Sequence, residues 1–238
     1  MNENISPVIF QKKELFLRKI RSFVVRRRIT KSQVSAINDF WPRFGIMFEK
    51  NFLNLEQVFF KNMPIVLEIG FGTGKSLVKT AIQNLDKNFL GIEVYESGIG
   101  NCLKYINKYN LNNIKIIFYD AVEVLNNMIK NETLSRVQIF FPDPWEKRRH
   151  RKRRMVTKHF SKVIHKKLTN NGIIYIVTDV ETYAKDILYI FDDTSKYINL
   201  SDDQRYVRRL RNRPITKFEK KGISLGKVIF ELIFRCIK

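Results

Sequence analysis

The chain has 238 residues, 44% hydrophobic and 13% aromatic, which is enough for one well-packed domain. Lysine and arginine total 44 against 23 acidic residues, and the net charge of +21 favours a nucleic-acid partner. No apolar run approaches the roughly 20 residues of a membrane span, the first residues lack a secretory signal, and Cys102 and Cys236 have no metal-ligand spacing. We therefore expect a cytoplasmic protein with no metal cofactor and no membrane contact. The sequence does not determine the oligomeric state, and we favour a monomer.

The positive charge has two rival interpretations. A chain rich in Lys, Ile and Asn can carry excess lysine through compositional bias, and a basic helix can lie on a membrane surface. Arginine, however, is clustered at Arg26–Arg28, Arg148–Arg154 and Arg205–Arg213, and these clusters lack a matching apolar face. The clustering favours the nucleic-acid partner.

The N-terminal region divides into two parts. Residues 1–35 are basic and weakly periodic, and they predict an arm that is either solvated and flexible or in contact with phosphate. The segment 32–60 is aromatic-rich and interrupted by Pro42 and Gly45, which indicates a packing segment before the main sheet. We assign residues 36–238 to a single domain.

The first clear strand, Ile65–Ile69, leads into a glycine turn with Gly70, Gly72 and Gly74. Apolar residues then follow helical spacing from Ser76 to about Gln83. A strand, glycine turn and helix in this order bring backbone amides close to a ligand.

The glycine spacing distinguishes three nucleotide-binding motifs. A phosphate-binding P-loop needs four residues between its first glycine and Gly-Lys-Ser, but only three separate Gly70 from Gly74. The dinucleotide pattern needs a glycine at position 75, where the chain has lysine. The remaining pattern, E-x-G-x-G-x-G from Glu68 to Gly74, resembles motif I of class I S-adenosylmethionine-dependent methyltransferases. Taken alone, the motif also fits a tight structural turn.

Acidic residues follow several of the predicted strands. Glu93 ends the strand 88–94, about 20 residues beyond the glycine turn, where nucleotide-binding folds place an acid on ribose hydroxyls. Asp120 follows the strand 114–119, and Asp179 follows the strand 173–177; each fits either a ligand contact or the N-cap of the next helix. Because the carboxyl ends of parallel strands share one crevice, we expect these side chains to lie together.

The stretch after the strand Val137–Phe141 is the most distinctive in the chain. Asp143 lies between Pro142 and Pro144, whose fixed φ angles predict a stiff, non-helical turn. Trp145 follows, with either a base-stacking or a core-packing role, and residues 147–154 are all basic or potentially basic. An aspartate fixed at a strand end beside a cationic run suggests chemistry on a nucleic acid.

Strand and helix alternate five times, which predicts a doubly wound, mostly parallel α/β sheet of the Rossmann-like type. The tail differs, because residues 227–237 form a long β-rich run with no predicted helix before it. We expect this run to close the sheet as part of an antiparallel strand pair.

Together, these motifs resemble those of the bacterial tRNA (guanine-N7-)-methyltransferases, over about residues 66–238. The matching segments are LEIGFGTG at 67–74, FLGIEV at 89–94, DAVEVL at 120–125, FFPDPW with the following K-x-R-H at 140–150, and RPITKFE at 213–219. The resemblance implies a class I methyltransferase that transfers a methyl group from S-adenosylmethionine to N7 of a guanine in tRNA, in the variable loop at position 46 of standard tRNA numbering. Position 146 is glutamate here, where the family leads us to expect histidine.

The resemblance also implies the roles of individual residues. Asp143 is the implied catalytic residue. The implied cofactor-binding residues are Glu68, Gly70, Gly72, Gly74, Glu93, Asp120 and Asp143, and the implied substrate-binding residues are Lys147, Asp179, Thr216, Lys217, Phe218 and Glu219. From the residues alone, Thr216 also fits a turn and Phe218 a core position.

Two alternatives to this function are left open by the sequence. One is a methyltransferase of the same fold that acts on another RNA atom or another class of substrate. The other is an RNA-binding protein that keeps the fold without catalysis, although the intact Glu68, glycine turn and Glu93 disfavour it.

Overall fold

The structure is a computed structural model that describes residues 29–192, 195–203 and 205–238. Most of the predicted basic arm therefore lies outside the described residues. The end of the arm was placed at residue 35, but the first helix, α1 (Lys31–Phe44), already begins at Lys31. Thr30 and Gln33 explain this start, because they form a capping box that satisfies the first amides of the helix.

The described residues form one sheet of eight strands with helices on both faces. The strands are β1 (Gly45–Ile46), β2 (Ile65–Ile69), β3 (Asn88–Glu93), β4 (Ile114–Phe118), β5 (Leu134–Phe140), β6 (Leu168–Thr178), β7 (Tyr197–Asn199) and β8 (Phe230–Cys236). The other helices are α2 (Leu55–Phe59), α3 (Lys75–Gln83), α4 (Glu96–Lys108), α5 (Ala121–Asn127), α6 (Lys158–Lys167), α7 (Glu181–Asp192) and α8 (Lys217–Ser224), with a 3₁₀ helix at Arg148–Arg153.

The strand order β1-β4-β3-β2-β5-β6-β8-β7 confirms the predicted doubly wound sheet. Neighbouring strands from β1 to β6 pair in parallel, whereas β8 pairs antiparallel with both β6 and β7. The chain runs outward from β2 through β3 to β4 and then returns to the other side of β2 as β5. In such sheets ligands bind at the carboxyl ends of the strands where the order reverses, which is here the crevice between β2 and β5.

The sequences of the central strands are almost continuously apolar because these strands are buried on both faces. Every residue of β2 and β3 is buried, because helices cover both faces of the sheet. On one face α1, α3 and α4 pack around residues such as Leu77 and Ile106, and on the other α5, α6 and α7 pack around residues such as Leu125 and Ile187. Burial of each such aliphatic side chain contributes about 1.5–3 kcal/mol, so the core fixes the strand ends rigidly.

The prediction that no helix precedes the final strand was wrong. Helix α8 occupies residues 217–224 directly before β8. Thr216 and Glu219 form its capping box, a T-x-x-E signature that is visible in the sequence. The helix is short and its apolar residues are largely exposed, so the periodic pattern that marks a core-facing helix is missing here.

Candidate active site at the strand ends

The glycine turn after β2 forms an open cradle. Gly70, Gly72 and Gly74 all have positive φ, at 74°, 57° and 75°. A Cβ added at Gly74 would lie 2.4 Å from Cys102 Sγ, whereas a Cβ at Gly70 or Gly72 would meet no described atom within 4 Å. Gly74 is thus required for packing against α4, and the space beside Gly70 and Gly72 suits a ligand that approaches the backbone closely.

Glu93, at the end of β3, is held by the turn itself. Its Oε2 accepts a hydrogen bond from the Gly72 amide at 2.6 Å, and its Oε1 accepts from the Val94 and Tyr95 amides at 2.7 and 3.1 Å. Burial raises the pKa of Glu93 to about 7, although the three amides oppose this shift and nearby Asp143 adds to it. The carboxylate is therefore rigid, mostly dehydrated and sensitive to charge at the site.

Glu68, at the end of β2, is a second buried acid beside Glu93. Gln138 on the neighbouring strand β5 donates a hydrogen bond from Nε2 to Glu68 Oε2 at 2.6 Å. Burial raises the pKa of Glu68 to about 7; the Gln138 hydrogen bond opposes the shift and the negative charge of Glu93 adds to it. Two acids with raised pKa values in one cleft suit a cationic ligand.

Asp120, after β4, caps α5. Its Oδ1 accepts hydrogen bonds from the Val122 and Glu123 amides at 3.0 and 3.2 Å, as one of the two sequence interpretations expected. The cap also fixes the carboxylate at the same edge of the sheet as Glu93.

Asp143 lies in a turn of unusual backbone geometry after β5. Phe141 and Trp145 on either side of Pro-Asp-Pro have φ angles of 54° and 42°, in the left-handed region that bulky residues rarely adopt. Two such residues cost about 1–3 kcal/mol each and are typical of functional sites. The Phe141 amide donates to the Val177 carbonyl on β6 at 2.8 Å, which ties the turn to the sheet. Since β5 pairs in parallel with β2, the turn lies at the same strand ends as the glycine turn, and the negative charge of Asp143 adds to the raised pKa of Glu93.

The cationic run after Asp143 is divided between the surface and the core. Trp145 is only 8% exposed and packs beneath the Arg153 guanidinium, 4.9 Å from the ring centroid, so core packing is the correct alternative for this residue. Arg154, the last residue of the cationic run, is not part of the exposed surface. It is buried, its Nε donates to the Pro144 carbonyl at 2.8 Å, and its guanidinium pairs with Asp186. Lys147, Arg148, Arg149 and Lys152 are exposed.

Asp179, after β6, pairs with a lysine from the tail. Lys227 Nζ lies 2.8 Å from Asp179 Oδ2, and both side chains are partly exposed. The expected alternative, an N-cap of α7, is not what the structure shows, since the Val180 amide donates its side-chain hydrogen bond to Thr178 Oγ1 and not to Asp179. Because β5 and β6 run parallel, Asp179 lies at the same edge of the sheet as the Asp143 turn.

Helix α8 lies beside the Asp143 turn, but its four candidate residues differ in exposure. Thr216 is occupied as the helix cap, and Glu219 is fully buried in ion pairs with Arg213 and Arg209. Lys217 and Phe218 are exposed, so a core role for Phe218 is wrong. The Phe218 ring lies 6.5 Å from the Phe141 ring, which brings the exposed start of α8 to the edge of the cleft.

Two residues of this region were missed by sequence reasoning. Gln138 carries a signal, because it is a polar residue inside the apolar strand Val137–Phe141 and must find a buried partner. Lys227 carries none, because it is one lysine among many and only the folded tail brings it to Asp179.

The side chains of the cleft suit some ligands better than others. Within the described ranges, no group of three His, Cys, Asp or Glu side chains could hold a metal ion. Among the same residues, no helix is long and apolar enough to cross a membrane. The cradle at Gly70 and Gly72, with Glu68 and Glu93 beside it, does fit a nucleoside cofactor with a positive charge.

Comparisons with known proteins agree with this geometry. Residues 62–232 match the family described as "Putative methyltransferase". Among the solved structures, the 16S rRNA methyltransferase KamB superposes with a TM-score of 0.54 at 11% identity, over 79% of this chain and 95% of that chain. An antibiotic-related methyltransferase gives a TM-score of 0.51 at 15% identity, over 80% and 96% of the two chains. These two likenesses show the fold.

Relatives of much higher identity identify the family. The tRNA (guanine-N(7)-)-methyltransferase of Buchnera aphidicola subsp. Acyrthosiphon pisum (strain Tuc7) is 53% identical over the full length of both chains. The enzymes of the same name from Photorhabdus laumondii and Yersinia pestis (strain Pestoides F) are 44% identical over 100% of both chains and 45% identical over 98% of both chains. With this identity over its whole length, the chain belongs to the tRNA (guanine-N7-)-methyltransferase family.

Proposed function

We propose that the cleft between β2 and β5 methylates N7 of the variable-loop guanine at position 46 of tRNA, with Asp143 as the catalytic residue. The observation that carries this proposal is the position of Asp143, in the turn after β5 at the same strand ends as the glycine turn, followed directly by a surface of exposed cations. Both cysteines are buried thiols, in keeping with a cytoplasmic enzyme.

The chain has suitable groups for each part of S-adenosylmethionine, its methyl donor. Glu93 is placed to accept hydrogen bonds from ribose hydroxyls, because its carboxylate is fixed by backbone amides at the end of β3. Asp120 lies at the adjacent strand end, on the side suited to the adenine. Glu68 and the open backbone at Gly70 and Gly72 would hold the positively charged methionine part. When bound, the cofactor supplies a methyl group activated by a sulfonium charge.

The chemistry asks the protein for position and electrostatics. Guanine N7 has an in-plane lone pair, so no proton has to be removed from the nucleophile and no general base is needed. Positive charge reaches the purine ring during transfer. A fixed carboxylate stabilises that charge without reorganising, and Asp143, in the turn held between Phe141 and Trp145, is suited to this role.

The RNA is held by the surface around the cleft. Lys147 and its exposed basic neighbours suit backbone phosphates, whereas Arg154 acts inside the protein. Phe218 is 66% exposed beside the cleft and suits stacking on an unpaired base. Thr216 and Glu219 contribute to substrate binding by shaping α8, whose first turn presents Lys217 and Phe218.

Product analysis tests this function directly. The protein is incubated with S-adenosylmethionine and unmodified tRNA transcripts, and the RNA is digested and analysed by nucleoside mass spectrometry. We expect 7-methylguanosine, and we expect it to disappear when guanine 46 is replaced by adenine. A methyl group on another atom or position would contradict the substrate assignment.

Cofactor binding should depend on pH because of the buried acids. The pKa values of Glu68 and Glu93 are raised to about 7, so both carboxyls take up protons as the pH falls below that value. The ionised forms attract the sulfonium charge, and binding at lower pH must therefore release protons. We expect the affinity for S-adenosylmethionine, measured by calorimetry, to be about tenfold weaker at pH 6 than at pH 7.5.

A matched variant identifies the group responsible. Glu93→Gln keeps the shape of the side chain and removes its titration, so its cofactor affinity should be low at pH 7.5 and change less between the two pH values. An equally steep profile in Glu93→Gln would assign the effect to other groups.

A further inference from the structure

Lys227 connects the tail to the mouth of the cleft. It follows Gly226, which has a positive φ of 70°, and its amide donates to the Gly222 carbonyl at 3.0 Å. This loop geometry brings the ammonium to Asp179 Oδ2 at 2.8 Å. The side chain is 40% exposed, so an isolated pair of this kind contributes little to stability. Its position is better explained by its effect on the orientation of the Asp179 carboxylate.

The surroundings of the pair belong to the substrate side of the cleft. The hydrogen bond to Asp179 raises the pKa of Lys227, and the negative charges of Asp179 and Glu146 add to this shift. Gly222 of α8 also backs the pair, since a Cβ there would be 3.6 Å from Asp179 Oδ2. Lys227 thus links the end of β6 to α8, at the edge of the sheet where the Asp143 turn also lies.

The chemistry of guanine calls for a second acceptor at this mouth. N7 lies on the edge of the base with O6, whereas the N–H donors, N1–H and the exocyclic amine, lie on the Watson–Crick edge. A carboxylate at Asp143 beside N7 cannot also accept from those donors. The next strand end along the sheet, about 5 Å away by strand spacing, carries Asp179. A carboxylate has about four lone-pair sites, so a bond to Lys227 leaves acceptors for two N–H groups.

We propose that Lys227 is a specificity-determining positioning residue, which holds the Asp179 carboxylate so that it accepts hydrogen bonds from the Watson–Crick edge of the target guanine. The proposal rests on the proposed function of the cleft. Lys227 fixes the orientation of the carboxylate and lowers the cost of bringing it close to an RNA chain. Adenine would present its N1 lone pair to this carboxylate and be rejected, and inosine, which lacks the exocyclic amine, would lose one hydrogen bond.

The test compares guanosine with inosine at the methylated position, in tRNAs assembled by ligation. Inosine keeps N7, so the ratio of kcat/KM values for the two RNAs measures recognition of the exocyclic amine. Wild-type protein should prefer guanosine at least tenfold, as expected for a lost hydrogen bond to a charged acceptor. Lys227→Met should reduce the preference to about threefold or less, and Lys227→Arg should restore it.

Two further variants separate positioning from general attraction. Lys220→Met removes the same charge from an exposed position of α8 and should lower kcat/KM for both RNAs equally, with an unchanged ratio. Asp179→Asn should lose the preference, and the double variant with Lys227→Met should lose no more than Asp179→Asn alone. The proposal is overturned if wild-type protein does not distinguish the two RNAs, or if Lys227→Met behaves like Lys220→Met. Failure of the proposed function would differ, because wild-type protein would then not methylate the guanosine RNA at all.

Discussion

Asp143→Asn should lower the single-turnover rate of methyl transfer by about 10²- to 10³-fold, the usual effect of removing one group that stabilises charge in a transition state. The side chain keeps its size, and Pro142 and Pro144 keep the turn. The lost element is the negative charge opposite the purine ring. Since Asp143 also contributes to the raised pKa of Glu93, the variant should bind S-adenosylmethionine with its pH profile moved to lower pH.

The measurement needs excess enzyme over tRNA and a separate determination of RNA affinity. Asp86→Asn makes the same charge change at an exposed residue between α3 and β3, away from the carboxyl ends of the strands, and should methylate at the wild-type rate. A folded Asp143→Asn protein with wild-type single-turnover kinetics would show that Asp143 is not the catalytic residue.

The parts of the fold that burial determines were predictable from sequence. Strand β2 was predicted at the residues it occupies, because a run of five residues, apolar except for Glu68, leads directly into a glycine turn. The tail was harder, since α8 is stabilised by a capping box and ion pairs instead of a buried apolar face. Hydrophobic periodicity cannot reveal such a helix. The capping signature formed by Thr216 and Glu219 can reveal it.

The candidate site was also only partly predictable from the sequence. Strand-end acids such as Glu93 and Asp143 could be found because parallel strands bring their carboxyl ends to one edge. The burial of Arg154 could not be predicted, because nothing in the sequence distinguishes it from the other basic residues of the run. Only the fold pairs it with Asp186. The pairing of Lys227 with Asp179 depends on the whole path of the tail, which the local sequence does not encode.

A buried ion-pair network holds α8 against the sheet. Arg213 is 6% exposed and donates to Glu219 at 2.7 Å and to Glu231 on β8 at 2.6 Å. Tyr175 on β6 donates its hydroxyl hydrogen bond to Glu231, and Arg209 adds a bond to Glu219 at 2.9 Å. Burial alone would raise the pKa of Glu219, but the hydrogen bonds from Arg213 and Arg209 outweigh it and lower that pKa.

Arg213→Met should therefore destabilise the protein by about 3–5 kcal/mol, because it leaves two buried carboxylates without their shared cation. For a chain of this size the loss corresponds to a decrease in Tm of about 10 °C. Arg211→Met, at an exposed position two residues away, is the matched control and should change Tm little. Calorimetry or thermal fluorescence would measure the three proteins.

The sign of the pH dependence distinguishes the loss of a charge pair from a simple packing defect. In Arg213→Met the pKa of Glu219 should rise, because the burial that raises it is no longer offset by the hydrogen bonds from Arg213, so protonation stabilises the variant as the pH falls from 7.5 to 5.5. The Tm difference from wild-type should narrow over that range, and adding Glu219→Gln with Glu231→Gln should recover part of the stability at pH 7.5. A difference that is constant with pH would mean that the methionine disturbs packing only. Because α8 carries Lys217 and Phe218 to the cleft, the same variant should also raise KM for tRNA more than it raises the Kd for S-adenosylmethionine.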